Sequence, residues 1–105
     1  NHSHYETRRI DVDIGIHYDT DLELASKVLL KLADDDRVKN KPKAPQFLVM
    51  KYDDSAIVVR LRLYSHTKDW YALYTDLMRK LKPALDEAGI EIPYPHRVIS
   101  SKNTA

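Results

Sequence analysis

Gly89-Ile90-Glu91-Ile92-Pro93-Tyr94-Pro95-His96 is the stretch on which the fold turns. Gly89 stands where a long helical pattern must stop, because glycine alone enters the left-handed C-cap without a steric penalty. Ile90 and Ile92 alternate around Glu91, as in a strand with one buried face. Pro93 and Pro95 then remove two backbone donors and hold Tyr94 extended between them. The octet predicts a very short strand that cannot continue in its own sheet and is turned away from the domain.

Upstream of Gly89, the residues Trp70, Leu73, Tyr74, Leu77, Met78, Leu81, Leu85 and Ala88 form one apolar stripe at helical spacing. Thr67 is the predicted cap of that helix. Pro83 lies within it and removes one hydrogen bond, a change that costs about 3 kcal/mol in an unadapted site. The stripe keeps its register across the proline, which predicts a kink over residues 79–83 and not a break. Trp70 and Tyr74, four residues apart, are assigned to core packing, and Tyr71 points away from the stripe.

Residues 9–18 alternate cleanly, with Ile10, Val12, Ile14 and Ile16 on one side and Arg9, Asp11, Asp13 and His17 on the other. A helix follows, opened by Asp19 and Thr20 with Glu23 completing a capping box, and expected to end near Ala33 ahead of Asp34-Asp35-Asp36. That acidic run reads as a solvated helix end, since it lacks the glycine and ligand spacing of a calcium loop. Residues 37–45 form a loop. Residues 46–52 and 56–65 are two strands joined by Asp53-Asp54-Ser55.

The order strand, helix, strand, strand, helix, strand predicts an α+β fold. With right-handed crossovers it becomes a ferredoxin-like βαββαβ sandwich: a four-stranded antiparallel sheet, order 4-1-3-2, with two helices on one face. Asp11 and Asp13 then fall near Arg60 and Arg62 on the helix-free face, where opposite charges paired across strands contribute about 0.2–1 kcal/mol each. The domain spans residues 9–95, after a linker over 1–8 and before a C-terminal extension over 96–105.

Composition narrows the function. The chain has 105 residues, 43% hydrophobic and 31% charged, enough to bury one core without cross-links. Its 17 basic and 16 acidic residues leave a net charge of +1, which is no footprint for nucleic acid. The sheet face argues the same way, since Tyr64 stands there as a lone stacking ring among carboxylates. There is no cysteine, so no disulfide framework and no thiolate metal site. The longest apolar run, residues 47–50, falls far short of the ~20 that a membrane helix needs. Asn1 in place of methionine suggests processing or a cut from something longer.

No active site emerges. Glycine occurs only at positions 15 and 89, so no phosphate-cradling loop exists, and serine-nucleophile motifs are missing. His2 and His4 lie on a free terminus without supporting partners, His17 is assigned to the charged sheet face, and His66 to a strand end. His96, beside the prolines, is a candidate pH-sensitive group only if an interface perturbs it. The expectation is no enzyme, no metal and no cofactor.

Several segments together resemble a known family. Arg8-Arg9-Ile10-Asp11, Ile14-Gly15-Ile16-His17-Tyr18-Asp19-Thr20-Asp21, Tyr74-Thr75-Asp76-Leu77 and 86–95, read in order, resemble the carboxy-terminal cytoplasmic domain of small-conductance mechanosensitive channels. The likeness runs from about Arg8 to His96. It implies a channel fragment in a plasma or inner membrane protein, with this domain cytoplasmic. Its role would be to help build a hollow vestibule with side portals, and its partners would be copies of itself, a heptamer in the full-length channel. The membrane-spanning portion would lie upstream. By the same resemblance the segment after Pro95 forms a strand of an inter-subunit barrel, which would close the edges that a lone strand leaves open. Ile92, Pro93, Tyr94, Pro95, Val98 and Ile99 are therefore the expected hinge and inter-subunit contacts. The alternative is a stand-alone ferredoxin-like regulatory or small-ligand-binding module.

Overall fold

The computed structural model describes residues 6–38 and 44–93. Chain order is β1 (Thr7–Ile16), α1 (Leu22–Leu32), β2 (Gln46–Tyr52), β3 (Ile57–His66), a single 3-10 turn (Thr67–Asp69) and α2 (Trp70–Ala88). β1 and β2 both pair antiparallel with β3, giving the order β1-β3-β2. The 1-3-2 part of the expected sheet is therefore present. Among the described residues the sheet has three strands, and the fourth strand expected from the sequence is not among them. Residues 90–93 make no ladder. They touch the sheet through one backbone bond, from the His17 N–H to the Glu91 carbonyl at 2.9 Å, on the free side of β1.

The period-2 pattern of β3 sets the layers. Ile57, Val59, Leu61 and Leu63 are all buried, facing the same way as Ile10, Val12, Ile14 and Ile16 of β1. Ala25 and Leu29 of α1 and Leu73, Leu77 and Leu85 of α2 close over that face in one continuous core. The opposite face carries the alternate positions and has no helix on it. Such one-sided burial is what an antiparallel sheet permits.

Local chemistry moves several boundaries. Asp21, not Thr20, caps α1: its backbone is extended (φ −70°, ψ 116°) and its carboxylate accepts the Glu23 N–H at 2.9 Å. The helix ends at the Ala33 cap, as the acidic run required. Thr67 opens the 3-10 turn, and α2 begins at Trp70 with no side-chain cap. The backbone bond from Thr67 N–H to the Glu6 carbonyl extends the sheet upward, so β1 starts at Thr7. Met78, expected in the stripe, lies at its margin and is 44% exposed. β2 carries an irregularity between Val49 and Lys51 that sets Met50 out of step with β3.

α2 runs unbroken through Pro83. The proline sits on the exposed side, so the carbonyl it leaves unbonded can be hydrated. The helix stops at Gly89, whose φ of 76° is the left-handed geometry that glycine favours. Its N–H donates to the Asp86 carbonyl at 3.1 Å, and the Ile90 N–H reaches back to Leu85 at 2.9 Å. Ile90 is thereby folded into the core.

Two substitutions test this packing. Leu63→Ala removes a fully buried side chain from the central strand and should cost about 2–5 kcal/mol in a urea titration. Gly89→Ala meets no neighbouring atom, so its cost should be the backbone term alone, about 1 kcal/mol.

Candidate functional site

The segment that leaves α2 does not keep the alternation expected of it, because Ile92 is not buried beside Ile90. Ile90 points inward, Glu91 outward with its carbonyl on His17, and Ile92 is 43% exposed. Pro93 is half-buried. Of the six residues expected to contact neighbouring subunits, Ile92 and Pro93 are placed; Tyr94, Pro95, Val98 and Ile99 lie outside the described residues. His2, His4 and His96 do too. Glu91, Gly89, His17, Asp19 and Thr20 line a polar cleft of about 250 Å³ at this corner. Within it the Asp19 N–H donates to the His17 Nδ1 at 3.2 Å, and the Asp19 carboxylate stands 3.7 Å from that nitrogen. The turn after β1 and the exit from α2 are thus tied at one place.

The helix-free sheet face carries the predicted charge lattice. Cα partners Asp13 and Arg60 bond side by side through two contacts, 2.6 and 2.9 Å, and Asp11 accepts from Arg62 at 3.0 Å. Asp11 also stands 3.3 Å from Arg9 and 3.7 Å from Arg60. The hydrogen bond from Arg60 holds the Asp13 carboxyl below its ordinary value of 3.8. Every arginine here is matched to an aspartate of the same face, so the lattice stabilises the sheet and offers no unpaired cation to an anionic ligand.

Three contacts were not foreseen. Asp35, assigned to a solvated helix end, is bonded to the Arg37 side chain at 2.9 and 2.8 Å, while Arg37 reaches Asp76 on α2 at 3.0 Å. This bridge fastens the loop after α1 to the second helix. The hydrogen bond from Arg37 is the main cause that holds the Asp35 carboxyl down at about 2. Secondly, the Arg8 guanidinium lies 4.0 Å above the Trp70 ring, which stacks on Tyr74 at 5.2 Å and donates its indole N–H to the Arg9 carbonyl at 3.0 Å. Thirdly, Tyr18 and Tyr52 stack at 6.3 Å at the other end of the sheet, and the Tyr18 hydroxyl donates to the Asp53 carbonyl. Tyr71, as expected, faces outward at 72% exposure.

An apolar groove of about 320 Å³ runs between the helices, lined by Val28, Leu32, Ala84 and Ala88 with Lys31 and Glu87 at its rim. Among the described residues, no three metal-ligating side chains converge. No helix among them is long and apolar enough to cross a membrane.

Known proteins share this arrangement. A family model described as the C-terminal part of the mechanosensitive ion channel MscS matches residues 10–92. An uncharacterized MscS family protein of Archaeoglobus fulgidus is 30% identical over 92 residues, covering 88% of this chain and 32% of that protein. The small-conductance mechanosensitive channel of Edwardsiella ictaluri is 32% identical over 96 residues, covering 90% of this chain and 33% of the relative. The crystal structure of Helicobacter pylori MscS in its closed state matches with a TM-score of 0.77 at 26% identity, over 92% of this chain and 39% of that one. The chain spans about a third of the length of the curated relatives it matches.

The Asp35–Arg37–Asp76 bridge predicts an acid dependence with a definite sign. Because the folded Asp35 carboxyl sits at about 2 against an ordinary 3.8, its stabilisation is complete above pH 4 and is lost as the pH falls from about 4 towards 2. Thermal melts should drop across that window. Arg37→Met should melt a few degrees lower at pH 6 and show a shallower drop between pH 4 and 2.

Proposed function

The chain belongs to the MscS family of mechanosensitive ion channels as its C-terminal domain, and from that premise we propose that it forms part of a cytoplasmic vestibule through which ions and small solutes pass during osmotic stress. The channel would sit in an inner or plasma membrane, with its spanning segments in another part of the full-length protein. Within it, this domain binds copies of itself, and seven is the proposed number. Ile92, Pro93, Tyr94, Pro95, Val98 and Ile99 are the proposed hinge and inter-subunit contacts.

The observation that carries this reading is the way the chain leaves its domain. Ile90 is locked into the core, and two residues later Ile92 stands exposed beside a proline. An apolar side chain held out by a stiff backbone is suited to a partner, since the ordering cost of binding is already reduced. Among the described residues no catalytic constellation competes with that role. Arg37, Arg60 and Arg62 are engaged in ion pairs with Asp76, Asp13 and Asp11 that hold the sheet and the loops.

A chimera tests the proposal. This chain replaces the corresponding C-terminal region of the Edwardsiella ictaluri channel, and assembly is read on native gels with survival of osmotic downshock. The chimera should assemble. Ile92→Asp combined with Val98→Asp should lower the oligomer yield at least about tenfold, since a single interface hot spot is worth about 2 kcal/mol or more. A chimera that is folded yet monomeric would overturn the assembly role.

A further inference from the structure

The register of β1 sorts its backbone groups into two sets. The Glu6 carbonyl accepts the Thr67 N–H at 3.2 Å, one step beyond the Thr7–His66 pair. In an antiparallel ladder bonded pairs alternate, so the even-numbered residues of β1 bond to β3 and the odd-numbered ones aim at the free edge. Two odd positions have partners there: Arg9, whose carbonyl takes the Trp70 indole N–H, and His17, whose N–H meets the Glu91 carbonyl. Between them, the outward backbone groups of Asp11, Asp13 and Gly15 bond to none of the described residues.

Antiparallel pairing seeded at His17 and Glu91 advances two residues at a time along each strand. It sets residue 93 opposite Gly15 and residue 95 opposite Asp13. Both are prolines. We propose that Pro93 and Pro95 are a register-specific ladder stop: they fall at the two positions whose N–H groups would have bonded the Gly15 and Asp13 carbonyls, and so keep the chain from completing its own sheet. Proline elsewhere in the segment would act differently. At residues 92 and 94 the backbone nitrogen would face away from β1, and a proline there would cost no bond to it. Nor do the edge side chains bar an incoming strand, since Asp11 and Asp13 are drawn sideways onto the arginines of β3. What is missing is the pair of N–H donors on the incoming segment, and the side chains of the edge are no obstacle.

This inference deepens the assembly reading and rests on it for its purpose: a segment barred from its own sheet stays available to other copies. Its test is independent of assembly. Three forms of the chain are compared by NMR amide exchange, under conditions where light scattering shows monomer: the parent, the double variant Pro93→Ala with Pro95→Ala, and a form with one alanine inserted between Ile92 and Pro93. The insertion keeps both prolines but moves them to non-bonded positions, leaving N–H-bearing residues opposite Gly15 and Asp13. Both altered forms should slow the Gly15 and Asp13 amides about tenfold and protect the new amide opposite Gly15. Unchanged exchange in the insertion form would overturn the proposal, whatever the substitutions do, because stiffness alone would then explain the prolines. A monomeric chimera alongside slowed exchange would sink the assembly role and leave the ladder stop standing.

Discussion

The pairing of β1 with β3 is the constraint on which the rest of the molecule depends. Ten consecutive pairs bind Thr7 through Ile16 to His66 through Ile57 without a break. Because side chains alternate along both strands, this single register places four aliphatic residues of each under the helices and sets Asp11 and Asp13 against Arg62 and Arg60 on the other face. A slip of one residue would drive two arginines into the core and strand their carboxylates. Hydrophobic burial and charge pairing therefore demand the same alignment, and each guards against errors in the other.

The same register decides what the edges can do. On one side β3 passes its remaining backbone groups to β2, whose irregularity at Met50 bends the strand out of a regular ladder. Such a bulge discourages indiscriminate pairing at a sheet edge. On the other side, among the described residues, β1 is met at its ends by Trp70 near the top and Glu91 at the bottom. The described domain thus holds together through one strand pair and its helices, while residues 90–93 contribute Ile90 to the core and one backbone bond to β1.

Much of this was legible in the residues. The period of two in β1 and β3 named the core face, and the strand order placed Asp11 and Asp13 beside the arginines, because both follow from short-range alternation plus one topological rule. The helix end at Gly89 was readable for the same reason, since only backbone geometry is involved. What stayed hidden was set by tertiary approach. Nothing local distinguishes Asp35 from its neighbours until Arg37 folds back towards Asp76, and nothing marks Arg8 as the lid over Trp70. The cap at Asp21 was missed because two adjacent residues offer similar side-chain oxygens, and only the backbone angle selects between them. The proline pair was visible at once as a terminator. Which carbonyls it deprives depended on the bond between His17 and Glu91, and no sequence pattern supplies a register.

Trp70 is the only tryptophan in the chain, and its position gives the protein a built-in optical reporter. Its ring packs against a guanidinium and a phenol, and its nitrogen is anchored to the backbone just inside the first strand. Ultraviolet-excited emission from this one indole therefore follows the seating of Arg8 and Arg9 near the start of β1. Any pull on that strand that lifted Arg8 would change the colour and yield of the light without a dye, a label or a mutation.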